Sequence, residues 1–334
     1  MDGQKKYLII VDAMGGDYAP GEIIKGAVNA AKNINIKIIL VGNKEKINGF
    51  ASLNELDISD FEIVNTTDEI RMDDSPSNAV KHKKNSSIYV GTNIVSKLGN
   101  SAFLSAGNTG AVMACSLFNL KRIEGILRPA IAIVIPLAEK KVVLIDAGAN
   151  VDIKPMYLKQ FAIMGKIYCE SIFGINNPRI GLINVGTEKK KGSEAVVEGY
   201  NLLKESNINF IGNIEGSDIF EGKTDVVVCD GFVGNVILKS FEGMSKLFFT
   251  EIKNVLTKNI ITKLYGIGLK KYFINMKKKF DYEEYGGALL LGVDGIVIIS
   301  HGSSKLKAIT NAIKIATDGI ERNIVKRIKE EIIS

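Results

Sequence analysis

Short apolar runs rich in Val and Ile alternate along the chain with segments whose apolar residues recur every three or four positions. The runs are Tyr7–Val11, Lys37–Val41, Phe61–Asn65, Ala102–Ser105, Ala130–Ile135, Val142–Ile145, Ile180–Val185, Asp225–Cys229 and Gly295–Ile299. Four to six residues of unbroken apolar character mark a strand covered on both faces. Between the runs, Ile23, Ala27, Ala30 and Ala31 keep helical spacing, as do Tyr157, Phe161, Met164, Ile167 and Tyr168. Such alternation predicts an α/β fold in which a mainly parallel sheet is flanked by helices. No repeat of fixed period and no linker interrupts it, so residues 1–334 are expected to form a single α/β unit of two lobes sharing one sheet.

The strand ends carry the chemistry. Leaving its runs, the chain reads AspAlaMetGlyGlyAsp (12–17), SerAlaGlyAsnThrGly (105–110), AspAlaGlyAlaAsn (146–150), AsnValGlyThrGlu (184–188), GlyAsnIleGluGlySer (212–217), AspGlyPheValGlyAsn (230–235) and SerHisGlySerSer (300–304). Any one of these is explained by a turn that needs Gly at positive φ and a helix that needs an N-cap. Seven together predict more, because the carboxyl ends of parallel strands converge on one crevice. A crevice lined by helix N-termini, backbone N–H groups and small polar side chains suits an anion, phosphate above all.

Composition is ordinary for a globular chain, 46% hydrophobic and 24% charged, which excludes disorder. No apolar run approaches the roughly 18 residues that span a bilayer, and no signal-peptide pattern precedes Asp12, so the expectation is a soluble, cytoplasmic protein. Three dispersed cysteines (Cys115, Cys169, Cys229) and two histidines (His82, His301) argue against a disulfide framework or a His-rich metal site. The net charge of +6 is local: nine lysines and one acid, Glu251, give Met244–Phe280 a charge of +8 and leave about −2 for the rest. A generic nucleic-acid-binding explanation is therefore not needed.

Several chemistries lack their signatures. There is no P-loop, no GxGxxG dinucleotide fingerprint and no GxSxG nucleophile elbow. Ser105 and Ser303 have no evident His–Asp partners. Direct attack by a bound nucleophile on a bound electrophile fits best.

The strand-end loops, with Pro20, SerProSerAsnAlaVal (75–80), ValCysAspGlyPheValGlyAsn (228–235) and GlyIleValIleIleSerHisGlySerSer (295–304), resemble the bacterial acyl-ACP:phosphate acyltransferase family, in order from about residue 7 to 320. The resemblance implies a Rossmann-like fold similar to phosphate acetyltransferases and isocitrate-dehydrogenase-like enzymes, and a homodimer. It also implies transfer of a long-chain acyl group from acyl carrier protein to inorganic phosphate, for phospholipid synthesis. A membrane glycerol-3-phosphate acyltransferase would consume the acyl phosphate. The basic run LysHisLysLys (81–84) departs from the family pattern at His82. A coenzyme A-dependent phosphate acetyltransferase, a nicotinamide dehydrogenase and a non-catalytic membrane scaffold are the alternatives.

On this reading phosphate sits on the loops of Asp12, Gly15, Gly16 and Asp17 and of Ser105, Gly107, Asn108, Thr109 and Gly110, with Asn108 and Thr109 donating. Asn78, Asp146, Asn150, Glu188, Glu215, Asp230, Gly231, Gly302 and Ser303 complete the expected phosphate or substrate site. Lys190 or Lys191 would supply positive charge. Asn235 and Lys239, one helical turn apart, would serve the oxyanion or the substrate phosphate. His301 is either general acid to the leaving thiolate or a hydrogen-bonded structural histidine. Asp12, Asp17, Asp146 and Asp230 could hold Mg²⁺, but the chemistry requires no metal and no cofactor is expected.

Finally, Met244, Leu247, Phe248, Ile252, Val255 and Leu256, then Leu269, Tyr272, Phe273, Met276 and Phe280, predict two amphipathic helices within 244–280. The intervening 259–268 is read as an apolar tip with a glycine break. Three uses compete for this element: dimer packing, peripheral contact with anionic membrane through Ile260, Ile261, Leu264 and Tyr265, and docking of the acidic carrier protein on its lysines.

Overall fold

The computed structural model describes residues 7–137, 140–280 and 282–333, and its strands form one 11-stranded sheet. In chain order these are β1 (Tyr7–Asp12), β2 (Ile36–Gly42), β3 (Glu62–Asn65), β4 (Ser101–Ser105), β5 (Ala130–Pro136), β6 (Lys141–Ile145), β7 (Ile180–Ile183), β8 (Phe210–Ile214), β9 (Val226–Val228), β10 (Ala288–Leu291) and β11 (Ile296–Ile299). Across the sheet they run β3-β2-β1-β4-β11-β10-β5-β6-β9-β7-β8. Every residue of β4, β5 and β11 is buried, as unbroken apolar runs require.

Helices cover both faces. On one, the helices Gly21–Asn33, Pro155–Tyr168 and Leu306–Glu321 bury Ile23, Phe161 and Ile309. Gly21–Asn33 and Leu306–Glu321 approach so closely that a Cβ on Gly26 would lie 2.5 Å from Ile309 Cβ. On the other face, the helices Ser87–Val95 and Thr109–Asn119 bury Ile88, Val112 and Cys115 around Phe103.

Two strands escaped the sequence reading. Phe210–Ile214 contains Gly212, at φ +103°, and reads as a loop. Ala288–Leu291, AlaLeuLeuLeu, has no β-branched residue to mark it. The second omission matters most. β10 pairs antiparallel with both β11 and β5, and β5 pairs antiparallel with β6. The pairings from β3 to β11 and from β6 to β8 are parallel, but the two blocks run in opposite directions.

The expectation of a single crevice is therefore corrected. The loops after β1, β4 and β11 gather on one rim of the sheet, here called the Asp12 rim. Those after β6, β7, β8 and β9 gather on the opposite Asp146 rim.

The helix Gly231–Thr257 starts on the Asp146 rim and crosses the sheet, packing Ile237, Leu238 and Phe241 against the core. Phe241 stacks on Phe220, 6.0 Å between ring centres. At 27 residues this helix is about 40 Å long, far more than the sheet is deep, so its second half stands clear of the Asp12 rim. The helix Ile260–Phe280 returns to the amino end of β10. No break occurs at Gly266 or Gly268: the expected tip residues are already helical, and the turn is only Lys258–Asn259.

Candidate active site

On the Asp12 rim, three glycine loops and the segment 71–75 come together. The chain leaves β1 at Asp12, whose buried carboxylate turns it back on itself: Oδ1 accepts from Met14 N (3.0 Å) and Gly15 N (3.1 Å). Oδ2 accepts from Ser105 Oγ at 2.6 Å, and that same Oγ accepts from Gly107 N at 2.9 Å. Burial pushes the Asp12 carboxyl above its ordinary value, opposed by the Ser105 and Ser87 hydroxyls and the two N–H groups. The third loop is pinned by Asp17 N, which donates to Gly302 O at 2.8 Å. A Cβ on Gly16, at φ +102°, would sit 3.0 Å from that carbonyl.

Asn108 has another task than the phosphate contact expected of it. Its Nδ2 donates to the carbonyls of Arg71 (3.2 Å), Met72 (2.9 Å) and Asp74 (2.9 Å), while Oδ1 caps the helix Thr109–Asn119 through Ala111 N. Asp74 is itself held by Lys83 at 2.5 Å. The segment 71–75, of which the sequence reading had only Ser75, thus lies over the rim, with Met72 against Gly302. Gly110 abuts Pro76 at the start of the short helix Pro76–His82, which carries Asn78. Thr109 is the first residue of its helix and is exposed. On the third loop, His301 Nδ1 accepts from Ser303 N at 3.1 Å and lies 2.8 Å from Ser303 Oγ, with the ring exposed. A further cation reaches this neighbourhood: Lys305 stands 5.3 Å over the Tyr18 ring.

The remaining expected residues occupy the Asp146 rim. Asp146 Oδ1 accepts from the N–H groups of Ile131, Gly148 and Ala149, and Oδ2 accepts from Asn150 N (2.7 Å) and Nδ2 (2.8 Å). Burial raises its carboxyl against these donors. Asn150 also donates to Pro129 O, and its carbonyl accepts from Gly231 N at 2.7 Å. Asp230 caps Gly231–Thr257 through Val233 N, and Asn235 lies beside Gly148. Lys191 pairs with Glu188 (2.7 Å), Lys190 is exposed nearby, and Glu215 forms a capping box with Asp218. Lys239 pairs with Glu242 at 2.8 Å, further along its helix.

Opposing strand directions thus keep Lys190, Lys191 and Asn235 away from the glycine loops of their own chain, while Lys239, two turns along the crossing helix, is paired with Glu242. The four loop acids divide in the same way, Asp12 and Asp17 on one rim, Asp146 and Asp230 on the other. Among the described residues no three His, Cys, Asp or Glu side chains gather as metal ligands. Four side-chain nucleophiles are also withheld. Ser105 is fully buried and committed to Asp12, and burial pushes the Cys115 and Cys169 thiols up to about 12 and Cys229 well above its ordinary value.

Known proteins match along the whole chain. Residues 8–327 fit the family model described as "Fatty acid synthesis protein". The phosphate acyltransferase of Halothermothrix orenii is 50% identical over 329 residues, 97% of this chain and 98% of that protein. The chain belongs to the phosphate acyltransferase family. A second phosphate acyltransferase, from Thermoanaerobacterium thermosaccharolyticum, is 48% identical over 324 residues, 97% of this chain and 96% of its own. Among solved structures, a phosphotransacetylase from Streptococcus pyogenes superposes with TM-score 0.65 at 17% identity, covering 95% of this chain and 94% of that one. The likeness establishes a shared Rossmann-like fold. The chain therefore carries its family's enzyme class, acyltransferase, on a sheet with two separate polar rims.

Proposed function

We propose that the enzyme transfers a long-chain acyl group from acyl carrier protein to inorganic phosphate, by direct attack of phosphate on the thioester carbonyl at the Asp12 rim. A phosphate oxygen forms the new C–O bond, the C–S bond breaks, and the carrier leaves as its thiol once protonated. The observation that carries this reading is the pairing of a glycine-lined anion cradle with the withdrawal of every cysteine and of Ser105 from nucleophilic duty. With Ser105 and the cysteines withdrawn from that duty, phosphate itself is taken as the nucleophile. His301, exposed on the third loop, would protonate the leaving sulfur. No step calls for Mg²⁺ or another cofactor.

The helical hairpin supports the partner assignments. It rises from the rim where phosphate would bind, and Ile260, Ile261 and Tyr265 are exposed at its end, Ile260 by 85%. The Leu264 side chain lies outside the described residues. We assign this end to an anionic membrane surface, where the product meets a membrane glycerol-3-phosphate acyltransferase. The exposed stripe Met244, Leu247, Phe248 and Val255 is assigned to a second copy of the chain, and the lysines to carrier protein and lipid. No helix among the described residues is long and apolar enough to cross a membrane, so contact would be peripheral.

The test is phosphate-dependent release of free carrier from palmitoyl-acyl carrier protein, with hydroxylamine trapping of the acyl phosphate. Trappable product that requires phosphate is the expected result. Turnover of acetyl-CoA with no reaction of the carrier substrate would overturn it in favour of short-chain chemistry. Polar replacement of Ile260 and Ile261 is expected to release the protein from anionic vesicles with soluble turnover intact; retained binding would refute the membrane assignment.

A further inference from the structure

Two side chains at the Asp12 rim are too deeply buried to touch any ligand, yet they hold together both loops that would surround one. β1 and β4 are neighbours, with Val11 beside Leu104, so their terminal residues Asp12 and Ser105 emerge side by side. The Ser105 hydroxyl is the only link of its kind between them among the described residues: its proton goes to Asp12 Oδ2 (2.6 Å) and its lone pair takes Gly107 N–H (2.9 Å). On the other side the same carboxylate takes the Met14 and Gly15 N–H groups. One carboxylate and one hydroxyl thus fix the peptide planes that precede Gly16 on the first loop and Asn108 on the second.

The residues just beyond are left with their backbone donors. Among the described residues, no acceptor is found for the N–H groups of Gly16, Asn108, Thr109 and Gly110. The loops are packed to contact: a Cβ on Gly15 would lie 2.4 Å from Asp12 Oδ2 and 2.7 Å from Gly107 N. No side chain stands between Gly15 and Gly107, and the relay registers the two loops where their backbones meet. A tetrahedral anion bound by several N–H groups is sensitive to that spacing, whereas a long apolar acyl chain is not.

We propose that Asp12 and Ser105 are positioning residues for inorganic phosphate, acting through a carboxylate–hydroxyl–amide relay that sets the aim of the Gly16 and Asn108–Gly110 N–H groups. The inference rests on phosphate binding at this rim, as proposed above. In Ser105→Ala the carboxylate loses a donor and Gly107 N–H loses its acceptor, so the second loop is no longer registered to the first. In Asp12→Asn the amide presents N–H to one of the groups that must donate to it, and the relay is reversed or broken.

The experiment titrates the full chain with inorganic phosphate alone, reading the shift in thermal melting, and then measures KM for phosphate and for the acyl donor separately. Ser105→Ala is expected to weaken phosphate about tenfold in both readings, with KM for the acyl donor and kcat within about twofold of wild type. Ser105→Cys, which keeps the shape and a weaker donor, is expected to fall between. A Ser105→Ala chain that melts earlier but has unchanged phosphate affinity and KM would overturn the proposal, because the relay would then be only structural. Wild-type melting that ignores phosphate would overturn the placement of phosphate at this rim, and the positioning role with it. Since the binding arm uses no acyl donor, a failure of the acyl-transfer reading itself would leave these outcomes readable.

Discussion

The loops at Asp12 and Asp146 begin alike. Each follows a buried strand with AspAla, each brings a glycine within three residues, and each buries its carboxylate under backbone N–H groups. Their outcomes differ because of what comes next. After Asp146 the chain supplies Ala149 and Asn150, and both carboxylate oxygens are filled by four backbone N–H groups and the Asn150 amide. That loop is a closed knot, locked further to Pro129 and Gly231. After Asp12 the chain supplies Gly15 and Gly16, which have no side chain with which to close the loop, and the carboxylate turns to Ser105 on the neighbouring strand. The same opening residues thus build a structural joint on one rim and an open cradle on the other, and the residues at the third and fourth positions decide which.

The sharpest way to break this comparison is Asp146→Ala. It strands five donors in a buried loop, and the expected loss is about 3–5 kcal/mol in urea unfolding, with activity falling only as the folded fraction falls. A change in phosphate KM at full stability would mean that the knot is a binding site after all. Next in size, Gly15→Ala drives a Cβ into Asp12 and Gly107. Phosphate-dependent carrier release is expected to fall about 100-fold, from a displacement of the loops by a fraction of an ångström to one ångström. Unfolding would register less than for Asp146→Ala.

His301→Ala tests the open rim at a side chain that is exposed and bonded to Ser303. The expected fall in turnover is about 10–100-fold, because protonation of the leaving sulfur is lost. An unchanged rate would leave His301 a structural partner of Ser303.

The smallest effect concerns a third carboxylate, Asp225, which contrasts with both. Burial opposes its ionisation, but the hydrogen bonds from Arg179 Nε and Nη2 outweigh burial and hold it below the ordinary range. Its stabilisation is therefore present above about pH 4 and lost as pH falls through the lowered value. Asp12 and Asp146, raised by burial, have the opposite sign: their contribution is present in acid and lost as pH rises through the raised value. Asp225→Asn is expected to shallow the acid limb of the stability–pH curve, with a loss of about 1–2 kcal/mol at neutral pH, discounted for the exposure of Arg179.

The sequence revealed the Val- and Ile-rich strands, and also Ala102–Ser105, which has no β-branched residue, but missed Phe210–Ile214, broken by Gly212 and Asn213, and Ala288–Leu291. Valine- and isoleucine-rich runs declare a covered strand by themselves, so β1, β6, β9 and β11 were legible almost to the residue. AlaLeuLeuLeu of β10 is as compatible with a helix, and it was recruited as a strand only because β11 and β5 flank it. The glycine loops were legible as turns and as polar strand ends. Partnerships between distant segments were not: nothing in Asn108 announces that its amide will hold Arg71, Met72 and Asp74, thirty-odd residues away.

Local pattern by itself determined the α/β class, the polar character of the strand ends, the basic amphipathic pair at 244–280 and the family. Those properties live in spacing, propensity and short motifs, which neighbouring residues enforce on one another. Only the tertiary structure decided which strand ends face one another. Strand direction comes from pairing between segments far apart in the chain, and three successive antiparallel pairings, β11–β10, β10–β5 and β5–β6, sent the loops of Asp12 and Asp146 to opposite rims.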